Sequence, residues 1–268
     1  MGRLGQSYAS SAGATSVGTL PGGNTEKSRK AILFELNPNL NVDELRDQFS
    51  GHRRGQIPGF AREADAAAFR QEIDDLPEWN LVFHANGRHF DLSLSGWNDL
   101  PAEKRTTTEQ IIHGQAQNGF SYFFENYPLH DQIESGKQVP TRLADAYALL
   151  NDNGTLSLLR EVTGEQDIAF ADAQVTRFGP GHFLTNHNDH QDGKKRRLAY
   201  VWNLTPNWRA DWGGYLQFFD QNGNVTGGFL PTFNCLNVFK VPADHAVSYV
   251  TPFAGAKRVS MTGWLRAR

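Results

Sequence analysis

From Asp167 onward the chain is written almost entirely in short apolar or alternating runs. They fall at residues 167–178, 198–204, 215–219, 225–230, 234–241, 245–250 and 258–265, separated by Gly, Pro and Asn. Runs this short and closely spaced read as strands of an antiparallel sandwich or jelly roll. Gln221-Asn-Gly-Asn224 supplies hairpin chemistry between two of them.

Helical periodicity is confined to the part before these runs. Asn41 to Phe49 reads as a helix capped by Asn41 with acids in its first turn. Ala66, Phe69, Ile73 and Leu76 recur at three- and four-residue steps, which predicts a second helix between Arg62 and Leu76. Leu143, Tyr147, Leu150, Leu158, Leu159 and Val162 predict two more, broken near Asn151-Asp-Asn-Gly154. Ala31–Leu36, Trp79–Phe83 and Arg88–Leu94 read as strands, the last two joined by Ala85-Asn86-Gly87; residues 99–118 fit either pattern. The expected class is therefore α+β. Residues 1–30, rich in Ser, Gly, Thr and Ala, are expected to form a flexible tail, because such a segment buries too little apolar surface to offset its ordering entropy. Residues 31–268 are expected to form a single domain, with helical support over 31–165 and a jelly-roll core over 166–268.

Composition excludes several functions. Lys plus Arg total 26 against 29 Asp plus Glu, a net charge of −3, which gives no electrostatic reason for nucleic acid or an anionic membrane as partner. No apolar stretch reaches the ~18 residues that span a bilayer. Cys235 is the single cysteine, so an internal disulfide framework and multi-cysteine zinc modules are ruled out. A reducing, cytoplasmic-type compartment is the simplest expectation, and no feature of the sequence specifies an oligomeric state.

The chemistry lies among the nine histidines. His52, His84, His89, His113, His130 and His182 have no acidic or His partner at ligand spacing and read as surface or structural residues. His187-Asn188-Asp189-His190 is different. Residues two apart on a strand or strand end project to one side, so His187 and Asp189 can converge. An imidazole and a carboxylate are two thirds of the facial triad that binds non-haem Fe(II) and leaves positions open. A third ligand must come from another strand, and His245 opens the run His245–Val250. On the last strand, alternation sets Arg258, Ser260, Thr262 and Trp264 on one face and Val259, Met261 and Leu265 on the other. An inward guanidinium is expensive to bury without a partner. A carboxylate ligand would provide one through a bidentate pair, with the Ser260 hydroxyl as a further donor; a protein carboxylate or solvent at an edge is the alternative. Leu198, Tyr200 and Trp202 read as core on the face opposite Asn203, and Trp264 as either mouth or packing. Gly179-Pro-Gly181 and Gly213-Gly214 read as devices that turn strands. Lys194-Lys-Arg-Arg197 reads as a solvated turn, and the aromatic density of Gly119–Phe124 as a candidate substrate lid.

Taken in order, Phe178-Gly-Pro-Gly-His-Phe-Leu184, His187-Asn-Asp189, Arg196–Trp208, Gly213-Gly-Tyr-Leu216, His245-Ala-Val247 and Arg258-Val-Ser260-Met-Thr-Gly-Trp264 resemble the prolyl-hydroxylase branch of the 2-oxoglutarate/Fe(II) oxygenases. Within that branch the likeness is to the peptidyl-prolyl hydroxylases that modify a ribosomal protein, over roughly residues 165 to 268. The resemblance implies a double-stranded β-helix (jelly-roll) core with N-terminal helices buttressing the large sheet. It implies that His187, Asp189 and His245 hold Fe(II), and that Arg258, with Ser260, anchors the distal carboxylate of 2-oxoglutarate. Asn203 stands where relatives commonly place a tyrosine that bonds the same carboxylate. Arg177-Phe178 stands where relatives often read Tyr, so Arg177 either reaches a substrate or cosubstrate carboxylate or lies outside. The implied activity is a dioxygenase using 2-oxoglutarate and O2, with ascorbate in support, that hydroxylates an unactivated C–H bond of a small-molecule or peptidyl proline. Another free amino acid or natural-product intermediate as substrate, and a non-catalytic jelly-roll binding module, are the alternatives. A two-metal zinc hydrolase would need histidine where Thr185 stands, and it leaves Arg258 and His245 unexplained.

Overall fold

The computed structural model describes residues 34–268. The tail expected over 1–30, and the first three residues of the strand expected over 31–36, lie outside the described residues. The remainder of that strand amounts to Leu36 in a single bridge to Ala61.

The helical part begins with α1 (Val42–His52), whose cap is the Asn41 side chain accepting from the Glu44 N–H. After β1 (Arg54–Pro58) comes α2 (Glu63–Asp74), burying Ala66, Phe69 and Ile73 as their spacing predicts. The hairpin β2 (Asn80–Ala85) and β3 (Arg88–Ser93) turns through Asn86 and Gly87, both at positive φ. A short α3 (Leu94–Asn98) leads to α4 (Ala102–Asn118), which resolves the ambiguous residues 99–118 as helix. Then come β4 (Tyr122–Tyr127) and α5 (Leu129–Glu134), followed by α6 (Thr141–Asn151) and α7 (Asn153–Thr163). The break between α6 and α7 is Asp152, whose carboxylate caps α7 through the Gly154 and Thr155 N–H groups.

The strands that follow are β5 (Phe170–Ala171), β6 (Gln174–Phe178), β7 (Phe183–His187) and β8 (Arg196–Asn203). A 3-10 turn at Ala210–Trp212 precedes β9 (Leu216–Phe219), β10 (Val225–Phe229) and β11 (Cys235–Lys240). The last two are β12 (His245–Val247) and β13 (Arg258–Arg266). All pair antiparallel in one curled sheet of order β1-β11-β8-β13-β6-β4-β7-β12-β9-β10, with β2 and β3 extending from β4 and β5 edging β13. This is the expected α+β jelly roll, a double-stranded β-helix with helices against its large sheet.

Strand alternation divides the large sheet into two faces. Leu198, Tyr200, Trp202, Leu236, Val238, Val259, Met261 and Leu265 point outward into one core with the apolar stripes of α1, α2, α6 and α7. Trp202 is the pivot, edge-on to Phe60 at 5.2 Å and tilted against Phe69 at 5.3 Å. A smaller core joins Trp97 and Ile112 of the middle helices to Leu81, Phe83, Phe123 and Phe183. The inner face is left to line a cavity. Among the described residues, no helix is long and apolar enough to cross a membrane.

Candidate metal centre

β7 and β12 are neighbours, and their register sets His245 directly opposite His187, with ring centroids 4.1 Å apart. His187 Nδ1 lies 3.0 Å from the Thr185 carbonyl and His245 Nδ1 lies 2.8 Å from the Ala243 carbonyl. A carbonyl only accepts, so each ring carries its proton on Nδ1 and turns an Nε2 lone pair toward a common point. The Asp189 carboxylate closes the third side, Oδ1 3.4 Å from His187 Nε2 and Oδ2 3.4 Å from His245 Nε2. One ligand atom from each of the three lies within 4.8 Å of the others.

The convergence of His187 and Asp189 arises differently from simple strand alternation. β7 stops at His187, and Asp189 sits at φ 61°, the left-handed region that few residues other than glycine adopt. Its carbonyl is held there by Arg196 Nη1 at 3.0 Å. Burial lowers the His245 pKa to about 4, with the His187 imidazole adding to the effect. Burial by itself would raise the Asp189 carboxyl, but the close approach of the His187 and His245 rings outweighs it and holds Asp189 below its ordinary value. Two neutral imidazoles beside one ionised carboxylate form a donor set for a divalent cation.

The triad opens on a cavity of about 510 Å³ between the two halves of the curled sheet, a size typical of small-molecule sites. Val82, Phe124, Leu184, Val201, Leu216 and Phe239 give it apolar walls. Arg258 also lines it, is 2% exposed, and has no carboxylate against it among the described residues; its Nε has no partner at all. Its nearest electrostatic relief is the Phe178 ring at 5.3 Å, and burial lowers its pKa to about 10. A buried, uncompensated cation is costly unless a ligand anion completes it. Gly214 makes room for this side chain, since a Cβ there would sit 3.3 Å from Arg258 Cδ; the preceding Gly213, at φ 71°, lets the chain pass the Tyr249 carbonyl, which a Cβ would approach to 2.0 Å. The donor set and the orphaned guanidinium together fit a divalent metal with a dicarboxylate cosubstrate.

The remaining expected site residues divide. Ser260 Oγ donates to Asn203 Oδ1 at 3.3 Å, and Asn203 Nδ2 donates to the Cys235 carbonyl, so the two are turned to each other and to backbone. Arg177 faces away from the cavity: it pairs with Glu125, Nε to Oε2 at 2.6 Å, and lies over the Trp79 ring at 3.6 Å. Alternation explains this, because Arg177 is register partner to Val259, an outward residue. Gly119–Phe124 is not a lid. Tyr122 to Phe124 belong to β4 in the middle of the sheet; Phe123 is core, while Phe120, Tyr122 and Phe124 line the cavity.

Sequence reasoning missed two features of the mouth. Arg196, taken for part of a solvated basic turn, is half-buried, lies over the Trp264 ring at 3.4 Å, and lines the cavity. Its position at the start of β8 was the available signal. His89 bonds the Tyr122 hydroxyl at 2.6 Å at the cavity edge, a pairing across non-adjacent strands that no local pattern encodes. His182 matches its structural reading, its Nδ1 accepting the Gly179 N–H, and His190 is exposed beside Asp192.

Residues 173–266 match the model of the 2OG-Fe(II) oxygenase superfamily. Among solved structures, the chain is similar to a prolyl-4-hydroxylase of Pseudomonas putida, with TM-score 0.54 and 19% identity over 85% of this chain and 100% of that one. It is similar to an oxidoreductase of the 2OG-Fe(II) oxygenase family from Burkholderia pseudomallei, with TM-score 0.53 and 15% identity over 86% and 92%. A prolyl hydroxylase of Trichoplax adhaerens, solved with a hypoxia inducible factor peptide fragment, gives TM-score 0.52 and 16% identity over 84% and 89%. No curated protein sequence matches the chain significantly.

Proposed function

Starting from a chain whose residues 173–266 carry a 2OG-Fe(II) oxygenase domain, we propose that the protein hydroxylates a prolyl residue or proline-like substrate, with His187, Asp189 and His245 as its iron ligands. One observation carries this reading: a His-Asp-His set and an uncompensated buried arginine open on one cavity. Bound there, Fe(II) with 2-oxoglutarate and O2 supplies the oxidant for an unactivated C–H bond.

The residues of the chain do the positioning. The Thr185 and Ala243 carbonyls fix both imidazole tautomers, and Arg196 fixes the left-handed turn that aims Asp189. Arg258 takes the distal carboxylate of the cosubstrate, and the Ser260–Asn203 pair braces the strand behind it. The apolar walls exclude water, which strengthens each charge contact inside. A prolyl substrate is supported by the likeness to the Pseudomonas putida and Trichoplax adhaerens hydroxylases.

Iron content after anaerobic loading, followed by succinate release, tests the proposal. Wild type should retain one Fe(II) per chain and convert 2-oxoglutarate to succinate; His187→Ala and His245→Ala should lose the iron, and Asp189→Ala and Arg258→Ala the turnover. Proline-containing peptides and free proline, examined for a gain of one oxygen by mass, then identify the substrate. Absence of both iron and succinate in wild type would leave a non-catalytic binding module.

A further inference from the structure

The gap between β5 and β6 holds a carboxylate that does not line the cavity. Both strands pair with β13, Ala171 opposite Leu265 and Gln174 opposite Thr262, and Asp172 lies between them. Its N–H donates to the Trp264 carbonyl at 3.1 Å, as a ladder residue would. The return bond differs: the Trp264 N–H donates to the Asp172 side chain, at 2.7 Å from Oδ1, rather than to its carbonyl. The freed carbonyl accepts the Tyr200 hydroxyl at 2.7 Å and passes so near Gly263 that a Cβ there would sit 2.1 Å from it. A ladder acceptor has thus been replaced by a largely buried carboxylate, which also takes Arg266 Nη1 on Oδ2 at 3.3 Å. A bond to an ionised acceptor is stronger than the backbone bond it replaces.

The Trp264 side chain faces the cavity, where Arg196 lies over its ring at 3.4 Å. Arg196 Nε has no partner, and its Nη1 reaches the Asp189 carbonyl at 3.0 Å. The indole face is therefore the surface that fixes the guanidinium. Asp189 sits at φ 61°, a conformation that persists where the surroundings over-determine it. The four residues form one line of support. Asp172 fixes the Trp264 backbone, the indole fixes Arg196, and Arg196 fixes the turn from which Asp189 meets His187 and His245.

We propose that Asp172 is a positioning residue of the metal centre, acting on Asp189 through Trp264 and Arg196. Its carboxylate acts as an acceptor at a fixed place rather than as a charge. Without it, the Trp264 N–H loses its partner and β13 loses its lateral tie at the cavity mouth. This inference rests on the reading of His187, Asp189 and His245 as metal ligands.

The test is a Co(II) titration of the full chain, followed through the visible absorption of the bound ion, with circular dichroism confirming the fold of each variant. Asp172→Ala should weaken cobalt about tenfold, the lower end of what outer partners of metal ligands contribute. Asp172→Asn keeps an acceptor oxygen for the Trp264 N–H and should bind as wild type does. Arg196→Met should also weaken cobalt, and adding Asp172→Ala to it should weaken binding no further, because the two act in one line. Asp172→Glu keeps the charge but carries the acceptor one carbon further out; it should weaken cobalt too, and it serves if Asp172→Ala fails to fold. A folded Asp172→Ala that binds as wild type, an Asp172→Asn as weak as the alanine variant, or additive losses with Arg196→Met would overturn the proposal and leave the metal reading standing. A wild type that takes up no cobalt, or a His187→Ala that binds it unchanged, would sink the metal reading and this inference with it.

Discussion

Replacing Arg258 by Met should make the ligand-free protein more stable and unable to bind its cosubstrate. The guanidinium is 2% exposed, and burial lowers its pKa to about 10. At 1.36 kcal/mol per unit, the charged form is disfavoured in the fold by about 3 kcal/mol. The folded value lies below the unfolded one, so this cost is present at every pH below about 10 and fades only above it. Losing the contact with the Phe178 ring returns about 1 kcal/mol, which leaves a net gain of about 2 kcal/mol. For a chain of this size that corresponds to a rise in Tm of about 4–8 °C. In wild type, Zn(II) with 2-oxoglutarate at a hundred times its Kd should stabilise by about 2.7 kcal/mol; in Arg258→Met that 2-oxoglutarate increment should vanish. The assay is thermal unfolding by circular dichroism with and without both ligands. A ligand-free Tm below that of wild type would refute the reasoning, because it would mean that the arginine is already satisfied within the fold. So would a cosubstrate shift that survives the substitution.

Three further outcomes follow from the packing and charge pairing of the fold. Glu125 is 4% exposed and is shared by Arg177 and Lys257, so Glu125→Gln leaves the half-buried Arg177 guanidinium without its carboxylate and should cost about 2–3 kcal/mol in urea unfolding. Burial lowers the His182 pKa from 6.5 to about 4; its stability contribution is complete above pH 6.5 and is lost as pH falls toward 4, and His182→Asn should flatten that part of the pH–stability curve by up to about 3 kcal/mol. Gly213→Ala forces a Cβ to 2.0 Å from the Tyr249 carbonyl and should cost more than about 3 kcal/mol, whereas Gly136→Ala, at φ 72° with open space around it, should cost about 1–2 kcal/mol; equal urea midpoints for the two would contradict the contact.

What could be read from the sequence depended on whether a residue's role is local. The α2 stripe, the Asn41 cap and the alternation in β13 are written within a few residues, and all three recur in the fold. The same alternation names Arg258, because its inward neighbours are polar while Val259, Met261 and Leu265 are not. β1 and β4 escaped because their neighbours in the sheet lie far along the chain: β1 pairs with β11, and β4 with β2, β6 and β7. The aromatics of β4 then read as a loop over the site rather than as part of its wall. Arg177 and Arg196 show the same limit. Each is a charged residue at a strand, and only the register decides that one stacks outward on Trp79 and the other inward on Trp264.

That register is also what lets the fold tolerate a buried arginine in its cavity wall. On β13, Val259, Met261 and Leu265 are 1%, 0% and 0% exposed against the helices. Full burial of such side chains is worth about 1.5–3 kcal/mol each, or about 5–9 kcal/mol for the three. That exceeds the roughly 3 kcal/mol by which burial disfavours the charged Arg258 in the same strand. A one-residue slip would exchange the two faces, putting the guanidinium among the helices and the three apolar side chains into the cavity. The outward contacts therefore both compensate the buried cation and hold it at the one register from which it can meet a ligand's carboxylate.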